Sequence, residues 1–454
     1  MLKTLRNAFA IPDLRKKIFF TLLIVVVFRL GAAVPVPFLD PSVLKAYVQG
    51  VSAGEGGTGL VSYLSNLSGG AFENATLFTM GITPYINSSI IMQLLTVAIP
   101  ALERMQKEED GRKKIAALTR YVTIVLGLVQ AFAYYMFIKG SGALMKVDGA
   151  FYQNFYVPAV IILVITAGTA LMMWFGEQIN QFGLGNGISM LLFASIVARG
   201  PTAFYTMYYY LRDGIAGISG NGDVTKLIYV PAITILFLGV VAFIVFMNSA
   251  ERRIPVQYAK RVVGRKVYGG QSTHMPIKIN MSGVMPLIFA SSILMVPSTL
   301  SGLIYGSDPT RMRDGVMTGD LFWYKTLNFF HSNSYVYSGL TFLLVLAFAY
   351  FYVAIQYNPV EMANNLRKNS GTVPGIRPGK PTSDFISKII SRITLIGALL
   401  LSVVAILPNL LSAIFKVNLG MGGTSIIILV GVALDTVQAL ESQMLMRHYK
   451  GFLE

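Results

Sequence analysis

"GLVSYLSNLSGG", residues 59–70, stands just ahead of a long apolar stretch, "ATLFTMGITPYINSSIIMQLLTVAIP", residues 75–100. Leu60, Leu64 and Leu67 recur at helical spacing with Ser62, Ser65, Asn66 and Ser68 between them, so the segment reads as a short amphipathic helix. About twelve residues at ~1.5 Å each reach ~18 Å, well short of a ~30 Å hydrocarbon core. The segment is too short to span a bilayer and too apolar for a free loop. A helix of this kind fits a bed of lipid headgroups. Gly69 and Gly70 supply a hinge between it and the spanning stretch.

The rest of the chain reads as membrane. It is 54% hydrophobic and 13% charged, with mean hydropathy +0.60, where soluble domains carry about 25% charged residues. Apolar stretches of spanning length fall at about 18–35, 75–99, 116–138, 155–175, 187–208, 227–247, 283–304, 335–356, 390–411 and 421–441. The expectation is an all-α integral membrane protein of ten transmembrane helices. The basic start before an apolar run resembles a signal peptide, but no small-x-small cleavage site comes after it and nine further spans do, so it reads as a retained first helix. There are no cysteines, which excludes disulfides and thiol chemistry.

Lys and Arg set the expected orientation. The side holding the N-terminus carries 5 before the first span, 6 over 104–120, 7 over 252–278, 6 over 367–392 and 2 after the last span, which is 26 of 37. Both termini are therefore expected in the cytoplasm and the 59–70 segment outside. The Gly-rich outer connection 209–226 divides the spans into an N-terminal half, 1–208, and a C-terminal half, 227–454. Five spans per half is the arrangement of an inverted repeat, read from span count because the halves show no evident self-similarity. Two basic loops face the cytoplasm. In 248–280, alternating Ile254, Val256 and Tyr258 with the turn "VVGRKVYGG" predict a β-hairpin. In 357–389, a helical start leads to a tip in which Gly371, Pro374, Gly375, Pro378, Gly379 and Pro381 surround Arg377, predicting a shaped finger.

Much chemistry is missing. Coupled transport needs ionisable groups at the bilayer midplane, and here Arg29, Glu177, Arg199 and Asp435 lie toward span ends. His274, His331 and His448 are all in loops or the tail, and no P-loop pattern is present. The reading is a passive conduit, with no catalytic residues, cofactor or metal. A secondary transporter of five-plus-five topology and a pore-less assembly scaffold are the rivals. The first predicts saturable solute uptake; the second predicts no conductance even after deletion of 60–72.

Six stretches carry a resemblance: "FRLGAAVPVP" (28–37), "SGGAFENATLFTMGITPYINSSIIMQLLT" (68–96), "WFGEQINQFGLGNGISMLLF" (174–193), "ERRIPVQYAKRVVGRKVYGGQSTHMPIKINMSGVMPLIFASSIL" (251–294), "NPVEMANNLRKNSGTVPGIRPG" (358–379) and "GGTSIIILVGVALD" (422–435). Together they resemble the bacterial SecY family, the central pore subunit of the Sec protein translocase. The resemblance implies two inverted five-helix halves forming a clamshell around an hourglass pore, with a lateral gate to lipid. It implies that 59–72 is a plug, with Leu60, Leu64 and Leu67 on its apolar face and Gly69 and Gly70 as its hinge. It implies an apolar pore ring of Ile82, Ile86, Ile188, Leu192, Ile288 and Ile428, in which leucine at 192 departs from the usual isoleucine but stays apolar. Ile82 with Ile86, and Ile188 with Leu192, are four apart and share helix faces. Spans 2, 3, 7 and 8 would form the lateral gate, with Asn87, Ser88, Gln93 and Gln130 as a seam or as ordinary interhelical hydrogen bonds. Arg265, Lys266 and Arg377 match positions that dock a motor or ribosomal RNA. The partners implied are the small membrane subunits SecE and SecG, the ATPase SecA, the ribosome, secretory and membrane-protein substrates with signal sequences, and membrane lipids, in a bacterial plasma (inner) membrane.

Overall fold

The computed structural model describes residues 8–53, 65, 68–145, 147–149, 151–218, 225–258, 261–263, 266–268, 272–294, 335–415 and 423–450. The elements are α1 (Pro12–Gly31), α2 (Pro41–Ala53), α3 (Thr83–Ala98), α4 (Pro100–Lys107), α5 (Glu109–Ser141), a π-helical turn (Tyr152–Tyr156), α6 (Val157–Phe182), α7 (Gly187–Ala198), α8 (Gly200–Ile218) and α9 (Thr225–Ser249). Strands β1 (Glu251–Tyr258), β2 (Arg261–Val263), β3 (Lys266–Tyr268) and β4 (Ser272–Lys278) come next. Then come α10 (Met285–Leu294), α11 (Tyr335–Gln356), α12 (Pro359–Lys368), β5 (Gly371–Thr372), α13 (Lys380–Phe415) and α14 (Gly423–Lys450).

Among the described residues seven helical stretches are long and apolar enough to cross a membrane, and α3 with α4 makes an eighth that is bent by 108°. α10 is a shorter apolar helix. α1 carries Asp13, Arg15, Lys16 and Lys17 at its start. All ten expected spans thus contain a helix, and the eighth, 335–356, has the same bounds as α11.

Helix ends obey local chemistry. Asn186 caps α7 by accepting from Ile188 N at 3.0 Å, and Asn358 caps α12 by accepting from Val360 N at 3.1 Å. Proline occupies the first turn of α1, α3, α4, α6 and α12, where its missing N–H is no loss. Gly142, at φ 73°, closes α5 in the left-handed conformation.

Four boundaries differ from expectation. The second span is helical only from Thr83, because Ala75 and Gly81 both take positive φ (46° and 55°) and Pro84 opens the helix. The first helix stops at Gly31, ahead of Pro35 and Pro37, and Pro35 instead bridges Thr76. The connection 209–226 is helical to Ile218 and again from Thr225. The 357–389 loop is shorter than expected, because Pro381 lies in the first turn of α13 rather than in the finger.

The expected hairpin is present and larger than its motif. β1 pairs antiparallel with β4 from Glu251↔Lys278 to Gln257↔Ser272, and β2 pairs with β3 beyond it. Ile254 and Val256 are buried, as their alternation requires. β5 pairs with the other edge of β1 through Gln257↔Thr372 and Tyr258↔Gly371, so the two loops share one sheet in the order β4-β1-β5. Beneath it Ile254, Ile277, Met281, Val353, Val373, Ile386 and Ile390 form one apolar core.

Candidate pore and gate

The six ring candidates arrive from four helices. Ile82 caps and Ile86 lies within α3, Ile188 and Leu192 are on α7, Ile288 is on α10 and Ile428 on α14. The structure brings them into one hydrophobic cluster, five of them buried and Ile188 half-buried against it. Gly176 of α6 borders two of them. A Cβ there would lie 3.7 Å from Ile82 Cδ1 and 3.9 Å from Ile188 Cγ1. All six candidates are aliphatic, so a constriction that they form offers water no side-chain hydrogen bonds.

Of the 59–72 segment, Leu60, Leu64 and Leu67 lie outside the described residues. Ser65, Ser68, Gly69, Gly70, Ala71 and Phe72 are described. Gly69 and Gly70 take φ of 65° and 88°, a left-handed pair that a side chain would strain. From Ala71 onward the chain is tied down. Val36 N donates to Ala75 O at 2.8 Å, Leu77 N to Val34 O at 2.9 Å, and the buried Tyr134 hydroxyl of α5 to Phe72 O at 2.8 Å.

The gate candidates fare unequally. Ser88 is buried and its hydroxyl donates to Pro84 O at 2.8 Å, so its own helix satisfies it. Asn87 is half-buried, and its Oδ1 is enclosed without a hydrogen-bond partner among the described residues. Gln93 lines a cavity of about 490 Å³ with Ser89, Thr96, Gln106 and Arg112, inside the α3–α4 elbow. Gln130 is half-buried on α5, which packs against α3. Residues 295–304 of the seventh span lie outside the described residues.

Of the docking candidates, Arg377 is exposed at the finger tip, between Gly375 (φ 81°) and Gly379 (φ 104°), and its carbonyl accepts from Thr382 Oγ1 at 2.8 Å. Lys266 opens β3 opposite Val263, and Arg265 lies outside the described residues.

Two of the span-end charges are in ion pairs. Arg120 Nε meets Glu177 Oε1 at 2.8 Å, and Arg199, at the junction of α7 and α8, meets Glu73 at 3.0 Å. Sequence reasoning missed Glu73. A lone carboxylate in an apolar stretch and a lone guanidinium in a span are the signal that could have joined them.

The sequence matches the family model described as SecY over residues 76–437. "Protein translocase subunit SecY" of Mycobacterium tuberculosis is 42% identical over 463 residues, covering 100% of both chains. The protein of the same description from Thermotoga maritima is 40% identical, covering 100% of this chain and 98% of its own. A solved structure described as "The structure of a protein conducting channel" superposes with TM-score 0.63 at 17% identity, covering 95% of this chain and 92% of that one. "Sec61 in the Canine ribosome-channel complex from the endoplasmic reticulum" superposes with TM-score 0.59 at 16% identity over the same shares. These two share the fold.

Proposed function

The chain belongs to the SecY family, the channel subunit of the protein translocase, and on that premise we propose how its own residues seal and open the conduit. Ile82, Ile86, Ile188, Leu192, Ile288 and Ile428 form the pore ring. The observation that carries this is their convergence, from four separate helices, on one apolar cluster. A ring of branched aliphatic chains excludes ions by dewetting and yields to a polypeptide by rotamer change.

The 59–72 segment is the plug. Gly69 and Gly70 give it a bend available to few other residues, and the stem from Ala71 is fixed to the segment after α1 and to α5. The halves 1–208 and 227–454 part about the 209–226 connection. Asn87, Ser88, Gln93 and Gln130 mark the lateral gate, where an open acceptor such as Asn87 Oδ1 favours a seam that water or a passing chain completes. Apolar signal segments leave there into lipid.

The shared sheet and finger face the cytoplasm, as the excess of Lys and Arg on that side supports. Arg377 offers a planar guanidinium to a carboxylate or phosphate, and Arg265 and Lys266 offer charge to ribosomal RNA. SecA and the ribosome are the sources of driving force, SecE and SecG the small membrane partners, and the bacterial inner membrane the location. No step is catalysed by this chain.

Crosslinking tests the conduit, and the absence of native cysteines makes it clean. One cysteine replaces Ile82; another, separately, replaces Leu23, which is 60% exposed on α1. A secretory chain with its own single cysteine is stalled in membranes of each variant. Disulfide formation at Ile82 and not at Leu23 is expected. Crosslinking at neither, in membranes that export, overturns the ring.

A further inference from the structure

The bend between plug and stem is closed by a polar triad. Ser65 precedes the Gly69–Gly70 bend and Glu73 lies beyond it. The Ser65 hydroxyl donates to the Glu73 carboxylate and accepts from Arg199 Nη1 at 2.8 Å, while Arg199 Nη2 reaches Glu73 Oε1 at 3.0 Å. Ser65 is fully buried, and the Glu73 and Arg199 side chains are 19% and 21% exposed. Further contacts hold the same bend, among them Gly70 N donating to Ser65 O at 2.8 Å. Gly69 lies so close to α7 that a Cβ would sit 2.9 Å from Ser195 O, and Arg29 Nη1 lies 3.5 Å from Gly69 O.

These contacts differ in kind from those of the stem. The stem is tied by backbone bonds and a buried tyrosine to its own half of the molecule. Ser65, on the plug side, is tied to Glu73 across the bend and to Arg199 at the end of α7. Withdrawing the plug leaves the stem bonds intact, but it must break the Ser65 contacts to both Glu73 and Arg199.

We propose that Ser65, Glu73 and Arg199 are a latch that seats the plug, with Glu73 and Arg199 as positioning residues for the seal. The latch rests on the assignment of 59–72 as the plug. Shielding strengthens the pair relative to one in open water, because a partly buried ion pair is screened less. A charge-assisted hydrogen bond of this class shifts an equilibrium by about tenfold or more.

The test is resting ion leak through the full-length chain, purified with the membrane subunits that accompany it and placed in planar bilayers. Glu73→Gln and Arg199→Gln should each raise the leak by about tenfold, while vesicles carrying them still export. The exchanged pair Glu73→Arg with Arg199→Glu should recover most of the seal. If a charge variant does not accumulate, Ser65→Ala removes the bridging hydroxyl without stranding a charge and should raise the leak to a smaller extent. Deletion of 59–68 measures the plug itself. A deletion that leaks, beside single variants as tight as the parent, overturns the latch and leaves the plug standing. An exchanged pair that leaks as much as the singles also overturns the latch. A deletion that stays tight overturns the plug and the latch with it.

Discussion

The stem at 68–82 and the sheet at 251–278 are both irregular insertions among spanning helices, both seated on apolar cores, and their backbones are paired by different means. The stem runs as turns, pinned by hydrogen bonds to the segment after α1 and to α5 and by one ion pair at the α7–α8 junction, with Ala71, Phe72, Ala75, Phe78 and Met80 buried in two apolar cores. The sheet is a continuous ladder, joined by β5 from a second loop and seated on an apolar core that includes α11 and α13. A few directional bonds break one at a time. A ladder on a packed core resists as a unit. The polar contacts of the stem are single and separable, whereas those of the sheet fail together.

That contrast breaks first at the core of the sheet. Ile386 is fully buried there, so Ile386→Asp strands a carboxylate among aliphatic chains and should abolish accumulation in membranes, a penalty above ~4 kcal/mol. Ile386→Ala should cost about 2–5 kcal/mol, read as a lower melting temperature of the purified protein, with resting ion leak unchanged. A leak that rises with Ile386→Ala would mean sheet and seal are not separately held.

The stem should answer to smaller changes. Tyr134→Phe leaves the Phe72 carbonyl buried without its donor and should cost about 1–3 kcal/mol. Hydrogen exchange should quicken over 68–80 and stay unchanged over 251–258. Equal quickening in both would erase the distinction between them.

The smallest effect is expected at Asp40, ahead of α2. The Ser42 hydroxyl and then the Ser42 N–H donate to its carboxylate, at 2.6 and 2.9 Å, and hold its pKa below the ordinary value. A pKa lowered by folding means the charged form favours the folded cap, so the contribution is full above the unfolded value, ~3.9, and is lost as pH falls through the lowered one. Exchange over 41–45, corrected for its intrinsic pH dependence, should rise only below that range, and Asp40→Asn should flatten the response.

Legibility in the sequence tracks the range of the forces involved. The hairpin is readable because Ile254 and Val256 alternate within a few residues. β5 is not, because two residues, Gly371 and Thr372, form a strand only by meeting β1 more than a hundred positions away. The second span reads too long because hydropathy is blind to backbone φ, although Gly81 and Pro84 are in view. Ten spans can be counted from composition, yet no periodicity places Ile288 beside Ile82. That grouping comes from resemblance to a family, and the apolar cluster is what the structure adds. The Glu73–Arg199 pair joins residues 126 apart and has only two isolated charges to announce it.

Ala250 is the single residue between α9 and β1. Its carbonyl accepts from Ile279 N at 2.9 Å, and Asn280 Nδ2 donates to Asn248 Oδ1 at 2.7 Å, so the base of the hairpin is closed against the end of the span. There is no slack at that joint. With one residue and two closing bonds at the joint, a push on the strands would reach α9, the sixth span, as torque, the way a crank keyed to its shaft turns it rather than slipping.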